Sequence, residues 1–137
     1  MVYSLVYVSE VTTPLSGQDL AALMRQSRRS NVLTQVTGLL LHQPGTFLQL
    51  LEGRRDVVEA LYAKIGNDSR HQNVTTVRTR EQTARQFPDW SMAVGQTSDV
   101  MRLGGHGVDV FIDGPAPVTT TDAEALFVQE LLDLFDP

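Results

Sequence analysis

The sequence predicts an α+β fold in which one sheet carries two helices on the same face. Short runs rich in β-branched and aromatic residues alternate with two amphipathic segments, in the order βαββαββ. The chain has 137 residues, 42% of them hydrophobic, so it can bury the core of one domain without disulfides, and it has no cysteine. This order of elements is typical of the ferredoxin-like arrangement, here followed by a C-terminal helical extension.

The first strand and the first helix follow from the spacing of apolar residues. Residues 2–8 place apolar side chains on both faces of an extended run, which predicts a strand buried on both sides. Ser16 and Asp19 form a capping pair ahead of apolar residues at helical spacing. They predict a helix over about 16–28.

A hairpin and a second helix come next. Apolar runs at 36–41 and 47–51 flank a loop that contains Pro44 and Gly45, a combination that predicts a hairpin. After it, apolar residues recur on one helical face while charged residues occupy the other positions. This pattern predicts a helix over about 54–67.

The last third of the chain is less regular. Residues 74–80 and 90–94 predict two more strands, and residues 95–119, rich in Gly, Pro, Thr and Asp, predict a loop with at most a short helix. A capping box then opens a predicted third helix over about 122–135. We expect this helix to dock on the free face of the sheet or on a partner, with simple cover of the core as the alternative.

Charge and composition exclude several classes of protein. Residues 1–102 hold all eleven basic residues and nine acidic ones, whereas residues 103–137 hold seven acidic residues and no basic one. Because binding to nucleic acid requires clustered Lys and Arg, we expect no nucleic-acid partner. No signal peptide and no run of about 18 apolar residues is present, so we expect a cytoplasmic protein with no membrane partner.

Two polar side chains fall at positions that the pattern predicts to be buried. Gln49 shares a strand face with Phe47 and Leu51, and an unpartnered buried amide costs roughly 1–3 kcal/mol. Tyr7 lies on the inward face of the first strand, where its hydroxyl also needs a partner. The two could meet if the first and third strands are neighbours, but sequence does not determine the register. A backbone- or water-bonded amide and an ordinary core tyrosine are the alternatives.

Other polar groups are less specific on their own. Asn31, expected just after the first helix, suits a C-cap or a turn. Asp68, Arg70 and His71 follow the second helix and could form a solvated charge cluster. The histidines lack the spacing of metal ligands, and no Ser/His/Asp order or phosphate-binding loop is present. We therefore expect neither a metal site nor a catalytic constellation.

Six short motifs occur in order between residues 3 and 94. They are Leu5-Val6-Tyr7-Val8-Ser9, Ser30-Asn31, Thr37-Gly38-Leu39-Leu40, Phe47-Leu48-Gln49-Leu50-Leu51-Glu52-Gly53, Asp68-Ser69-Arg70-His71 and Phe87-Pro88-Asp89-Trp90-Ser91-Met92. Their order and spacing resemble the BLUF family, blue-light sensors that use a flavin, in the short single-domain form similar to PixD proteins. Ser30 departs from the Asn or His of many relatives, and Gln35 from a common glycine.

The resemblance implies a noncovalent flavin between the two helices. FAD is the expected cofactor, and FMN or riboflavin could substitute for it. The flavin edge would face Tyr7, Gln49 and Asn31. Further flavin-binding residues implied by the resemblance are Ser27, Arg28, Lys64, Asp68, Arg70 and His71.

The resemblance also implies a photochemical mechanism. Blue light makes the flavin a strong oxidant, and Tyr7 gives up an electron and then a proton through Gln49. A rotated or tautomerised Gln49 persists and hydrogen-bonds the flavin carbonyl. Trp90 and Met92, on the fifth strand, would relay the change, and the sequence leaves open which of them faces Gln49. Plain core packing is the alternative for Trp90.

The function implied is a light-sensing signalling protein and not an enzyme. Residues 1–95 would be the flavin-binding photosensor domain, and residues 96–137 would cap the sheet or form the output or oligomer surface. A homo-oligomer and a separate response protein are the expected partners. Two alternatives stay open: a light-insensitive flavoprotein redox enzyme on the same scaffold, and a chromophore-free ferredoxin-like domain that binds a small ligand.

Overall fold

A computed structural model gives the fold of the chain. It describes residues 1–13, 16–43, 45–88, 91–97, 108–111, 126 and 130–131. Its elements are β1 (Val2–Val11), α1 (Gly17–Thr34), β2 (Thr37–Gln43), β3 (Thr46–Gly53), α2 (Arg55–Gly66), β4 (His71–Gln82), β5 (Ala93–Thr97) and β6 (Val108–Phe111).

The strands form one sheet in the order β4-β1-β3-β2-β5-β6. All neighbouring pairs are antiparallel except β2 and β5, which run parallel. The ferredoxin-like fold with two helices is therefore confirmed, and β1 and β3 are neighbours at its centre. Within the residues that the structure describes, no helix has both the length and the apolar character needed to cross a membrane.

One strand lies where the sequence predicts a loop. β6 falls inside the stretch 95–119 and pairs with β5, whose other neighbour is β2. The prediction was wrong because a four-residue run among Gly, Pro and Thr is too short to show a period. Pairing with β5 supplies the backbone hydrogen bonds that stabilise it, and β5 itself crosses the boundary that the sequence suggested after residue 95.

Helix α1 ends at Thr34, six residues beyond the end of the predicted 16–28. The expected capping box is present, with Ser16 and Asp19 each bonding the backbone N–H of the other. At the far end the helix continues through Asn31, which the sequence analysis placed in a loop. The difference arises because Asn31 extends the inward row of Leu20 and Met24 with an amide, while Val32 and Leu33 in the last turn point to solvent, so no apolar residue continues the inward row.

Both helices pack on the same face of the sheet. The residues buried together there come from β1, β2, β3, both helices and the segment before β5; they are Tyr3, Leu5, Tyr7, Leu20, Met24, Val36, Leu40, Phe47, Leu51, Val58 and Met92. The polar Gln49 lies on this same face, because it alternates with Leu48 and Leu50 along β3. The flavin site implied by the sequence would therefore form on the helix side.

The opposite face of the sheet is buried as well. Leu39, Leu41, Leu48 and Leu50 on β2 and β3 are almost fully shielded from solvent there. Near the chain end, residues 126 and 130–131 are helical, and Leu131 is fully buried. Trp90 lies outside the described residues.

Glu130, in this helical part, approaches the far face of β4. Burial lowers the pKa of the Arg78 guanidinium on that strand, Arg80 lowers it further, and the negative charge of Glu130 opposes both effects. Arg78 is paired with Val6, which points away from the helices. The C-terminal helical residues therefore lie near the face of the sheet that α1 and α2 leave uncovered.

Candidate functional site

A cleft opens between α1 and α2 above the centre of the sheet. Its volume of about 170 Å³ is many times the roughly 10–15 Å³ that one water needs. The apolar walls are formed by Leu23, Met24, Leu40, Phe47, Leu51, Leu61 and Ile65. Polar lining groups are Tyr7, Gln26, Ser27, Ser30, Asn31, Gln49, Lys64, Asp68, Arg70 and His71, with Met92 beside them.

Tyr7 and Gln49 lie side by side at the floor of the cleft. They are direct partners in the pairing of β1 with β3, and their side chains are only 2% and 7% exposed. The Tyr7 hydroxyl donates a hydrogen bond to Gln49 Oε1. Each of these buried polar groups thus supplies a hydrogen-bond partner for the other, which offsets the cost of burying both.

The environment of Tyr7 keeps its phenol neutral. Burial raises the pKa of Tyr7 far above its ordinary value, and nearby Tyr62 and Asp68 raise it further. The Tyr62 ring lies 5.3 Å from the Tyr7 ring between centroids, and the Tyr62 hydroxyl accepts a bond from Thr76. Tyr7 is therefore a proton donor to Gln49 over the whole neutral range.

The other end of the Gln49 amide meets a sulfur atom. Gln49 Nε2 donates to Met92 Sδ at 3.3 Å, and Met92 is fully buried. A thioether is a weak acceptor, so this N–H is held less strongly than the Oε1 atom at the other end. Of the two predicted relay residues, Met92 is in contact with Gln49, but it lies one residue before β5 and not on that strand as expected. Trp90 falls outside the described residues.

Helix α1 binds the backbone that carries Met92. Asn31 Nδ2 donates to the Ser91 carbonyl at 2.7 Å, and Arg28 Nε donates to the Met92 carbonyl at 2.9 Å. Asn31 also lines the cleft, but Arg28 does not. Arg28 was expected to bind the flavin together with Ser27, but only Ser27 lines the cleft. Consecutive residues of a helix project about 100° apart, so the Arg28 side chain points to one side of the cleft.

Charged groups lie at the rim near the end of α2. The Asp68 carboxylate and the Arg70 guanidinium form an ion pair, and this hydrogen bond lowers the pKa of Asp68 to about 2 although partial burial opposes the shift. Lys64 is exposed at the same rim. The sequence left two alternatives for these residues, a solvated charge cluster or a lining of the site. The structure shows both, because the ion pair of Asp68 and Arg70 also lines the cleft.

His71 is oriented by two neighbours that the sequence analysis did not single out. Its Nε2 lies 2.6 Å from the Ile65 carbonyl, so Nε2 carries the proton, and in the neutral ring Nδ1 accepts from the Ser9 hydroxyl at 3.0 Å. Ser9 is 2% exposed. Ser9 could have been identified from the sequence by its position two residues after Tyr7, which places both side chains on the same face of β1.

The cleft matches the chemistry of a flavin. A planar ring system needs flat apolar walls, and its edge alternates carbonyl acceptors with a ring N–H. Asn31 and Gln49 each offer both a donor and an acceptor at the floor. Lys64 and Arg70 at the rim are donors that could bind a phosphate, although the Arg70 charge is offset by its ion pair with Asp68.

Comparison with known proteins agrees with this geometry. Residues 2–93 match the family model described as sensors of blue-light using FAD. The chain belongs to the BLUF family. BLUF domains are flavin-binding sensors of blue light, and the resemblance noted from the six motifs is therefore confirmed.

Among relatives, the chain is similar to the photoactivated adenylate cyclase subunit beta of Euglena gracilis, with 43% identity over 90 residues. That match covers 65% of this chain and 10% of the cyclase subunit. The chain thus spans about a tenth of the curated relatives it matches first. The similarity concerns the BLUF part of those proteins.

Solved BLUF structures share the fold. BlrB, a BLUF protein in its dark state, is 35% identical with a TM-score of 0.69, over 75% of this chain and 78% of BlrB. BlsA in its photo-activated state is 26% identical with a TM-score of 0.71, over 96% and 95% of the two chains. Klebsiella pneumoniae BlrP1 with FMN and cyclic diGMP is 30% identical with a TM-score of 0.63, over 74% of this chain and 26% of BlrP1.

Proposed function

We propose that this BLUF protein is a blue-light photoreceptor in which Tyr7 and Gln49 are the switch and FAD is the noncovalent chromophore. The observation that supports it is the buried chain of contacts from the Tyr7 hydroxyl to Gln49 Oε1 and from Gln49 Nε2 to Met92 Sδ. Such a chain has a strong bond at one end and a weak one at the other. It can therefore exist in two arrangements of similar shape.

The mechanism begins at Tyr7. A flavin bound in the cleft would supply the absorption of blue light and, when excited, an acceptor for one electron. When Tyr7 loses an electron, its phenol becomes strongly acidic, and the proton moves along the existing hydrogen bond to Gln49 Oε1. Gln49 then relaxes by rotation or tautomerisation, and Tyr7 recovers both its proton and its electron, so no group is left oxidised or reduced at the end of the cycle.

The rearranged Gln49 presents different groups to its neighbours. After half a turn, Oε1 faces Met92 Sδ where Nε2 stood before, so two acceptors oppose each other. Met92 must then shift or lose its partner. Because Arg28 and Asn31 hold the Met92 and Ser91 carbonyls, the shift is transmitted to α1 and to the start of β5.

The proposed output is a change in protein contacts rather than a catalysed reaction. β5 begins directly after Met92 and pairs with β6, and the C-terminal helical residues lie near the far face of the sheet. We assign residues 96–137 to the surface that a second copy or a separate response protein reads. The Euglena relatives, in which adenylate cyclase is named together with photoactivation, support a sensor that acts on an effector.

FAD is proposed as the cofactor on two grounds. The family is described as using FAD, and the rim carries Lys64 and Arg70 where the diphosphate of FAD would emerge. FMN occupies BlrP1, so a single phosphate also suits a related cleft. Reconstitution with FAD, FMN and riboflavin, followed by equilibrium dialysis, should give the tightest binding for FAD.

The decisive experiment compares visible spectra before, during and after blue illumination. We expect a yellow wild-type protein whose flavin bands shift reversibly to the red, and a Gln49→Leu variant that binds flavin without the shift. Gln26→Leu is the matched control, because it makes the same exchange at an exposed residue of the same cleft. It should retain the shift.

Other outcomes would contradict the proposal. A flavin that only bleaches would favour a light-insensitive redox protein. A colourless chain that takes up no flavin after reconstitution would favour a chromophore-free domain. A normal red shift in Gln49→Leu would remove Gln49 from the mechanism.

A further inference from the structure

Glu52 is a buried acidic residue on the side of the sheet that faces away from the cleft. Its side chain is 0% exposed, three residues after Gln49 on β3. It pairs with Ser4 on β1 and Thr37 on β2, both of which are also buried. A carboxyl group is among the costliest groups to bury, so the hydrogen-bond partners of the Glu52 side chain indicate its structural role.

Those partners lie mostly in one short segment of chain. Glu52 Oε2 accepts from the Gln86 N–H at 2.7 Å, and Oε1 accepts from the Phe87 N–H at 2.9 Å. Gln82 Nε2 donates to Oε2 at 2.7 Å. The Glu52 side chain thus binds two consecutive backbone amides, which fixes both the position and the direction of the chain at residues 86 and 87.

Arg85 strengthens the same attachment. Its guanidinium donates to the Glu52 carbonyl at 2.9 Å, to Thr37 Oγ1 at 2.9 Å and to the Gln35 carbonyl at 2.6 Å. Three bonds to β3, β2 and the end of α1 leave residue 85 little freedom. The segment after β4 is therefore anchored to the central strands at its beginning.

The end of this segment is the part that meets the switch. Met92 lies five residues after Phe87 and contacts Gln49, while Asn31 and Arg28 hold the Ser91 and Met92 carbonyls. Five residues span at most about 18 Å, so the attachment at residues 86 and 87 and the contact at Met92 belong to one short stretch of chain. One strand, β3, presents Gln49 on one face and the anchor of the Met92 segment on the other.

We propose that Glu52 is a positioning residue for the photoswitch, which sets where Met92 meets Gln49 by holding residues 86 and 87. The inference rests on the proposed function, since the position of Met92 matters to signalling only if Gln49 is the switch. It extends that function to a group on the opposite side of the sheet, which touches neither the cleft nor Gln49.

The first test measures Met92 directly in the dark. Glu52→Gln keeps the shape of the side chain but replaces one acceptor oxygen by an NH₂ group, so at least one of the amide bonds is lost. With ¹³C-methyl methionine, we expect the Met92 resonance to shift or broaden while that of Met24, on α1 across the cleft, stays unchanged. An unchanged Met92 resonance would overturn the proposal.

The second test measures coupling in the photocycle. Loosening Met92 weakens the arrangement to which Gln49 returns, so the lit state of Glu52→Gln should last roughly threefold longer or more. In a Met92→Leu background the same substitution should change the lifetime much less. An equal fold-change in both backgrounds would show a general structural effect and would contradict the positioning role.

Gln82→Met provides the matched control. It removes a bond to the same Glu52 oxygen but leaves both backbone amides bound, so it should alter the Met92 resonance less than Glu52→Gln. If Glu52→Gln does not fold, Arg85→Gln loosens the same segment from a partly exposed position and should change Met92 in the same sense. A wild-type protein without any light response would sink the photoreceptor proposal, whereas the dark methyl spectra still decide the role of Glu52.

Discussion

At the scale of single residues, the site is built on buried polar groups, which are stable only when each has a hydrogen-bond partner. Tyr7 and Gln49 would each be costly alone, but their direct pairing across β1 and β3 satisfies both. The weaker of the two bonds that Gln49 makes is the one to Met92 Sδ. In the proposed function, the same structural pair is also the route of the Tyr7 proton.

Tyr7 should make folding stability fall at high pH. Its pKa is raised in the folded protein, so the folded state keeps the phenol proton while the unfolded state releases it near pH 10. The contribution is complete below pH 10 and declines above it. The free energy of unfolding of wild type relative to Tyr7→Phe should therefore fall by up to about 1.4 kcal/mol per pH unit.

Urea denaturation of both proteins between pH 9 and 11 measures this difference. Tyr3 and Tyr62 are present in both and cancel in the comparison. A difference that stays constant across this range would mean that Tyr7 ionises as easily in the folded state as in the unfolded one.

At the scale of elements, the end of α1 determines how the cleft is connected to the sheet. Gln35 closes the helix in the left-handed conformation with φ of 57°, and the Val36 N–H returns to the Asn31 carbonyl at 2.9 Å. Three residues later, a Cβ on Gly38 would overlap the Leu50 carbonyl oxygen, so only glycine fits there. Asn31 is thus positioned by a strained cap and a strand that packs closely against β3.

Gln35→Gly should stabilise the fold. Glycine avoids the roughly 1–2 kcal/mol cost of a left-handed residue but adds entropy to the unfolded chain, so a net gain of up to about 1 kcal/mol is expected. The control is Gln35→Ala, which removes the same side chain and keeps the strain. Chemical denaturation should separate them, and equal stabilities would show that the cap is not strained.

At the scale of the whole molecule, the sheet is covered on both faces by different parts of the chain. The helices α1 and α2 form the cleft on one side, and Glu130 lies near Arg78 on the other. Residues 103–137 carry only acidic charge, whereas all basic residues precede them. The part of the chain that we propose as the output surface is therefore acidic throughout its sequence.

Leu131 and Leu126, both helical, allow this arrangement to be tested. Leu131 is 0% exposed and Leu126 is 65% exposed. Leu131→Ala should lower the free energy of unfolding by about 2–4 kcal/mol, and Leu126→Ala by less than about 0.5 kcal/mol. Both variants should keep the flavin spectrum, because the cleft lies on the other face. Equal losses of stability would show that the C-terminal segment is not packed as described.

Local patterns in the sequence were sufficient for most of the elements and for singling out Tyr7 and Gln49, whereas Ser27, Arg28 and Lys64 came only from the family resemblance. Strand and helix periods predicted β1 to β5, α1 and α2, and an amide at an apolar position identified Gln49. The four-residue β6 and the last turns of α1 were not predicted, because neither shows a regular spacing of apolar residues that is long enough to recognise. The role of Glu52 was not predicted for another reason. An acidic residue at a strand end is usually exposed, and the backbone N–H groups that Glu52 binds lie more than 30 residues away in sequence.

The sequence by itself therefore determined the class of fold, the family and the residue types available to a flavin. Only the tertiary structure decided which of them meet: Tyr7 opposite Gln49, Met92 at the Gln49 amide, and Glu52 on the segment before Met92. The physical reason is that periodicity reports the nearest neighbours along the chain, whereas strand register and bonds to distant backbone amides are set by the packing of the complete sheet.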